Sequence, residues 1–141
     1  MIAIGSDHRG VFLKEKIIKF LKSKKEKVVN CGTDDENLVD YPDIAGEVCE
    51  QILTHSCDYG ILICGTGIGM SIAANRFSEI RAALCTSENQ AKCSKEHNNA
   101  NILVLGAEEV DENLALEIVD VWLKSSFSGK DRYIRRLQKI R

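Results

Sequence analysis

The amino-acid sequence predicts an α/β fold: an open, parallel sheet with helices on both faces. Two patterns carry that expectation. Short apolar runs alternate with amphipathic stretches along the whole chain, and the run at residues 60–64 is apolar throughout, as a strand covered on both faces must be. Five such runs fit a doubly wound strand order such as 2-1-3-4-5. That order opens a ligand crevice beyond the carboxyl ends of strands 1 and 3.

Taken in order, Ile2-Ala3-Ile4-Gly5 forms the first strand. Leu13, Ile17, Phe20 and Leu21 then recur at helical spacing, with Lys14, Lys16, Lys19, Lys22, Lys24 and Lys25 between them; such a lysine run is usually a solvated helix face. Val28-Val29 starts a short second strand that Cys31-Gly32 ends. Tyr41-Pro42-Asp43 opens a second helix, because proline is tolerated in a first turn, and Val48, Ile52 and Leu53 continue it. Gly60-Ile61-Leu62-Ile63-Cys64 is the third strand, followed by a glycine-rich turn and a small-residue helix around 71–75. Strands at 81–85 and 102–105 flank a helix over 87–95. A helix over 110–123 carries Leu114, Ile118, Val121 and Trp122 on one face. The arginine-rich last dozen residues predict a terminal helix that leaves the body of the fold.

At 141 residues, with 44% hydrophobic and 28% charged residues, the chain is expected to be one domain (1–141) with an ordinary soluble composition. A net charge of −2 and no aromatic cluster on a basic surface argue against nucleic acid as a partner. No segment approaches the roughly 18 apolar residues that span a bilayer. With no charged leader before the first strand, the expected location is the cytosol. The six cysteines contain no Cys-x-x-Cys pair, so they are expected to be reduced and without zinc; no metal or cofactor is expected.

Two polar loops follow strands 1 and 3: Ser6-Asp7-His8-Arg9-Gly10 and Gly65-Thr66-Gly67-Ile68-Gly69. Three glycines ahead of a helix let backbone N–H groups approach an anionic oxygen. Their G-x-G-x-G spacing after the third strand does not match a dinucleotide fingerprint. Cys64 enters that same helix end, where a thiolate is favoured as base or nucleophile; a packed structural cysteine is an equal reading on position alone. Asp7-His8 sits at the predicted switch point, where a carboxylate beside an imidazole can polarise a hydroxyl and move protons; the plainer reading is a cap on the first helix, and Asp7 can do both. His97-Asn98-Asn99 lies at the amino end of the sheet, as a surface turn or as a contribution to another chain's crevice. Arg132 and Arg136 are one helical turn apart, suited to gripping a phosphate or simply part of a solvated basic tail with Arg135 and Arg141.

Taken together, Ser6-Asp7-His8-Arg9-Gly10, Asp40-Tyr41-Pro42-Asp43, the twelve residues from Cys64 to Asn75, and His97-Asn98-Asn99-Ala100-Asn101 resemble the type B ribose-5-phosphate isomerases. The wider family includes galactose-6-phosphate isomerase subunits, and the match runs the length of the chain. The resemblance implies a flavodoxin-like (Rossmann-like) three-layer fold and metal-free aldose–ketose isomerisation in the pentose phosphate pathway. It also implies sites at the interface of a homodimer or tetramer, reached by the C-terminal helix. Carried over by position, Cys64 is the base between C1 and C2, and Thr66 assists at the hydroxyls. The amides of Gly65, Thr66, Gly67, Ile68 and Gly69 hold the enediolate. His97 opens the furanose ring, Asp7 binds the sugar, Asn98 lies on the enediolate side, and His8, Arg132 and Arg136 take the phosphate. Tyr41 falls at a substrate-side position. Glu108 stands where the family carries an arginine that helps hold substrate. Alternatives are a hexose 6-phosphate (allose or galactose 6-phosphate) isomerase and a non-catalytic sugar-phosphate binder.

Overall fold

A computed structural model describes residues 1–140; Arg141, one of the four tail arginines, lies outside the described residues. The elements run β1 (Ile2–Ser6), a short 3₁₀ turn (His8–Gly10), α1 (Val11–Ser23), β2 (Val28–Gly32), α2 (Tyr41–Leu53), β3 (Tyr59–Cys64), α3 (Ile68–Ala74), β4 (Ala82–Leu84), α4 (Glu88–Glu96), β5 (Ile102–Gly106), α5 (Glu112–Lys124) and α6 (Asp131–Gln138). Helix starts follow local chemistry. Ser87 caps α4 by accepting from the Gln90 N–H, and Asp111 caps α5 by accepting from the Leu114 N–H at 2.8 Å. The third helix begins at Ile68, three residues ahead of the expected start, so it grows directly out of the glycine loop.

All strand pairs are parallel. Side-chain alternation divides the core into two layers. Ile2, Ile4, Ile61, Ile63, Leu103 and Leu105 face α1 and α5, where Ile17, Ile118 and Trp122 pack. Ala3, Leu62, Cys64, Ile102 and Val104 face α2 and α3, where Val48, Cys49 and Met70 pack. The result is the three-layer, flavodoxin-like arrangement.

The strand order is 2-1-3-5-4, not the expected 2-1-3-4-5. Strand β5 is buried along its whole length, whereas β4 has three residues, all half-buried. A wholly apolar strand is stabilised by neighbours on both sides, so β5 takes the interior and β4 the edge. The switch point is unaffected: β1 and β3 are neighbours, and their following helices lie on opposite faces. One consequence reaches the crevice. Gly106 pairs with Cys64, and a Cβ on Gly106 would stand 2.5 Å from the Thr66 carbonyl oxygen, so the β3 loop can lie down only on a glycine.

The lysine run divides. Lys16, Lys19, Lys22, Lys24 and Lys25 are exposed as expected, but Lys14 is buried. Its Nζ donates to the Thr33 carbonyl and to Asp34 Oδ1, tethering the loop between β2 and α2. That contact holds the Asp34 carboxyl below the usual carboxylate range. No helix among the described residues is long and apolar enough to cross a membrane.

Candidate active site

A crevice of about 560 Å³ opens where the switch point predicts, walled by Asp7, His8 and Arg9 just after β1, by Cys64 at the end of β3 with Gly65, Thr66 and Gly69 beyond it, and by Val39 to Asp43 at the start of α2. That size suits a small-molecule ligand. Cys64 forms part of the crevice wall and is 5% exposed. Gly67, at φ +80°, turns the chain so that its N–H donates to Cys64 Sγ at 3.2 Å. An amide aimed at sulfur stabilises negative charge there. None of the six cysteines is paired. Burial pushes the Cys49 and Cys85 thiols up to about 11 and raises those of Cys31 and Cys57, which favours the neutral thiol at all four.

Thr66 Oγ1 accepts from the Ile68 N–H at 3.2 Å, leaving its own hydroxyl hydrogen for a ligand. Two of the five loop amides, those of Gly67 and Ile68, are therefore directed at side chains of the same loop. Asp7 is 6% exposed, and its placement is compatible with both readings of its position. Its Oδ1 accepts from the Arg9 N–H at 2.9 Å, capping the 3₁₀ turn, while the carboxylate also lines the crevice. His8 Nδ1 accepts a long bond (3.5 Å) from the Val39 N–H, which leaves Nε2 as the ring nitrogen able to donate. The Tyr41 ring lies over Gly69, where a Cβ would stand 2.6 Å from Cζ.

The remaining candidates gather elsewhere. His97 ends α4 and stacks on Tyr133 at 4.6 Å between ring centroids, inclined 25°. The Arg132 guanidinium lies 4.6 Å from the Tyr133 ring centroid and donates to its hydroxyl at 3.1 Å. Asn98 lines a separate hollow beside Leu137 and Ile140. Arg136 is exposed on α6, a helix with no buried residue. The Ser128 N–H donates to the Glu96 carbonyl, which turns the chain back so that α6 lies against the end of α4. His97, Arg132 and Tyr133 are thus assembled by one chain but lie outside the crevice of that chain. Residue spacing carried no signal for Tyr133, because its partner lies 36 positions away and meets it only through this return. Val39 was equally silent; it enters through its main-chain N–H. Among the described residues no group of three or more His, Cys, Asp or Glu could hold a metal ion.

Comparison with known proteins agrees along the whole chain. The model of the ribose/galactose isomerase family matches residues 2–140. Ribose-5-phosphate isomerase B of Escherichia coli K12 is 41% identical over 139 residues, covering 99% of this chain and 93% of that one. Among solved structures, ribose-5-phosphate isomerase B of Clostridium thermocellum superposes with a TM-score of 0.97 at 51% identity, covering 99% of this chain and 93% of that one. The Thermotoga maritima ribose 5-phosphate isomerase gives 0.96 at 50%, with 99% and 95% covered.

Proposed function

The chain belongs to the ribose/galactose isomerase family, and on that premise we propose that it interconverts ribose 5-phosphate and ribulose 5-phosphate through an enediolate, with Cys64 as the base. The observation that carries this reading is the Gly67 N–H on Cys64 Sγ at the wall of the crevice. A thiol held only for packing needs no amide donor and no opening toward a ligand.

The reaction runs as follows. An acid–base group returns the ring oxygen to a hydroxyl as the O1 proton leaves, giving the open aldehyde. The Cys64 thiolate takes the C2 proton, the C–H electron pair becomes the C1–C2 double bond, and O1 gains the negative charge. Amides of the glycine loop stabilise that oxygen. The O2 proton moves to O1 with help from the Thr66 hydroxyl. Cys64 returns its proton to C1, leaving the ketone at C2. Asp7 holds sugar hydroxyls at the crevice wall, Tyr41 covers Gly69, and His8 donates from Nε2 to the phosphate.

Ring opening and the rest of the phosphate grip come from a second copy of the chain in a homodimer or larger homo-oligomer. The supporting observation is the spatial grouping of His97, Arg132 and Tyr133 outside their own crevice, on an α6 that buries nothing. The partner subunit's His97 is the ring-opening group, the partner subunit's Asn98 lies on the enediolate side, and the partner's Arg132 and Arg136 complete the phosphate site. The 141 residues act as one domain, in the cytoplasm, within pentose phosphate metabolism.

The test is turnover of ribose 5-phosphate beside allose 6-phosphate and galactose 6-phosphate, with and without chelator. A higher kcat/KM on the pentose phosphate, unchanged by chelator, supports the reading. Preference for a hexose phosphate moves the substrate, and stabilisation by ribose 5-phosphate without turnover makes the protein a binder.

A further inference from the structure

Arg9 is the arginine of the crevice wall, and the steps above leave it without a role. Its side chain lies across Gly65, where a Cβ would stand 2.9 Å from Cδ and 3.0 Å from Nη1. The cation therefore sits over the residue that follows Cys64. Glu108 holds it there, with Oε1 3.4 Å from Nη1. The main chain fixes Glu108 in turn. Its N–H donates to the Gly65 carbonyl at 2.9 Å, and the Ala107 N–H donates to the Cys64 carbonyl at 2.8 Å. On the far side the Arg9 N–H is bonded to Asp7 Oδ1. Arg9 is thus tied by its backbone to one crevice residue and by its side chain to the turn that clamps another.

As a stabilising ion pair this contact counts for little, because the two side chains are 57% and 54% exposed. Its geometry suits a different purpose. One long contact through Nη1 leaves Nη2 and Nε able to donate, and the exposure leaves the positive charge incompletely neutralised. Restraining a long side chain before the ligand arrives also lowers the ordering cost of binding.

We propose that Arg9 is a substrate-binding residue whose guanidinium takes an oxygen of the anionic sugar phosphate, and that Glu108 is the positioning residue that holds it over Gly65. The proposal rests on the reading of the crevice as a sugar-phosphate site. The test measures kcat and KM for ribose 5-phosphate in the whole protein and in Arg9→Met, Glu108→Ala, Arg9→Glu and the double variant Arg9→Glu/Glu108→Arg. Arg9→Met is expected to raise KM about tenfold with kcat within about threefold, since the contact exists in ground and transition states alike. Glu108→Ala raises KM by about threefold through lost positioning. The double variant returns a guanidinium from position 108, beside the same Gly65, and recovers most of the loss seen with Arg9→Glu alone. Unchanged parameters in Arg9→Met overturn the proposal. So does a lower KM in Glu108→Ala, which would make the carboxylate only a repulsive charge. A wild-type protein without turnover defeats the reading of the reaction instead. Thermal stabilisation by ribose 5-phosphate then decides the role of Arg9: it must be weaker in Arg9→Met, and equal stabilisation overturns the proposal.

Discussion

Replacing Cys64 by alanine separates the chemical role of the sulfur from its packing role. The structure sets the scale of both losses. Cys64 is 5% exposed, so its removal leaves a small buried gap, and the Gly67 N–H loses its acceptor at 3.2 Å. Stranding a buried donor costs about 1–3 kcal/mol, within the 5–15 kcal/mol of a typical domain, so the variant folds. Losing a positioned proton-transfer group costs about 10²–10⁴ in rate, equivalent to roughly 3–5 kcal/mol of barrier. The assay follows ribose 5-phosphate in D₂O, recording turnover and the rate at which deuterium enters C1 of ribulose 5-phosphate. Both should collapse in Cys64→Ala, while ribose 5-phosphate still raises the melting temperature. Cys64→Ser sharpens the contrast. Its hydroxyl again accepts from Gly67 and restores stability, but an alkoxide base is inaccessible near neutral pH, so turnover stays low. A Cys64→Ala protein that turns over and takes up deuterium at the wild-type rate would refute the assignment of the base.

Four further outcomes follow from the geometry. Gly106→Ala puts a Cβ 2.5 Å from the Thr66 carbonyl oxygen, so it should cost about 1–3 kcal/mol and depress activity by displacing the loop. Gly46→Ala, in the middle of α2 with only Phe77 Cζ at 3.9 Å, should instead stabilise by up to about 1 kcal/mol; thermal melts that rank the two variants the other way contradict this. Lys95 is buried with Nζ over the rings of Tyr59 (3.4 Å) and Trp122 (4.3 Å), and burial lowers its pKa to about 8 from 10.5. Below pH 8 both folded and unfolded chains carry the proton, and the folded chain bears the full penalty, at most about 3 kcal/mol. Between pH 8 and 10.5 the folded chain releases a proton that the unfolded chain keeps, so the penalty fades as pH rises. Lys95→Met should therefore be more stable than wild type near pH 7, with the gap closing toward pH 10 in urea unfolding; a pH-independent gap contradicts the reasoning. Iodoacetamide should inactivate the enzyme with protection by ribose 5-phosphate, and mass analysis should find the protected label on Cys64, not on the half-exposed Cys93. Protection confined to Cys93 would place the sensitive thiol outside the crevice.

Much of this arrangement was legible before any coordinates. The continuous apolar run of β3, the proline at the start of α2 and the glycine triplet before α3 are local signals, each arising from residues within a few positions of one another. They were enough to predict the alternation, the switch point and the two loops beside the crevice. Asp7 illustrates where local reading stops. Capping and a ligand role were both open to the residue from its position, and the structure adds that it caps the turn while lining the crevice, since a carboxylate has more acceptor sites than one N–H uses.

The presence of a glycine loop with Cys64 at its head was legible in sequence alone, since such a turn depends on which local residues lack a Cβ, although its helix starts at Ile68, three residues ahead of the expectation. Tertiary structure decided what surrounds it. Strand β5 displaced β4 from the sheet interior because its burial is greater, and that choice carried Glu108 to Gly65 and so to Arg9, 99 positions earlier in the chain. The same distinction governs Lys14. Its place in a lysine run predicts solvent, yet the loop after β2 folds over it and its ammonium is satisfied by the Thr33 carbonyl and Asp34. Sequence pattern reports contacts along one element, while packing competes between elements, and the partners of Lys14, Arg9 and His97 were set by that competition.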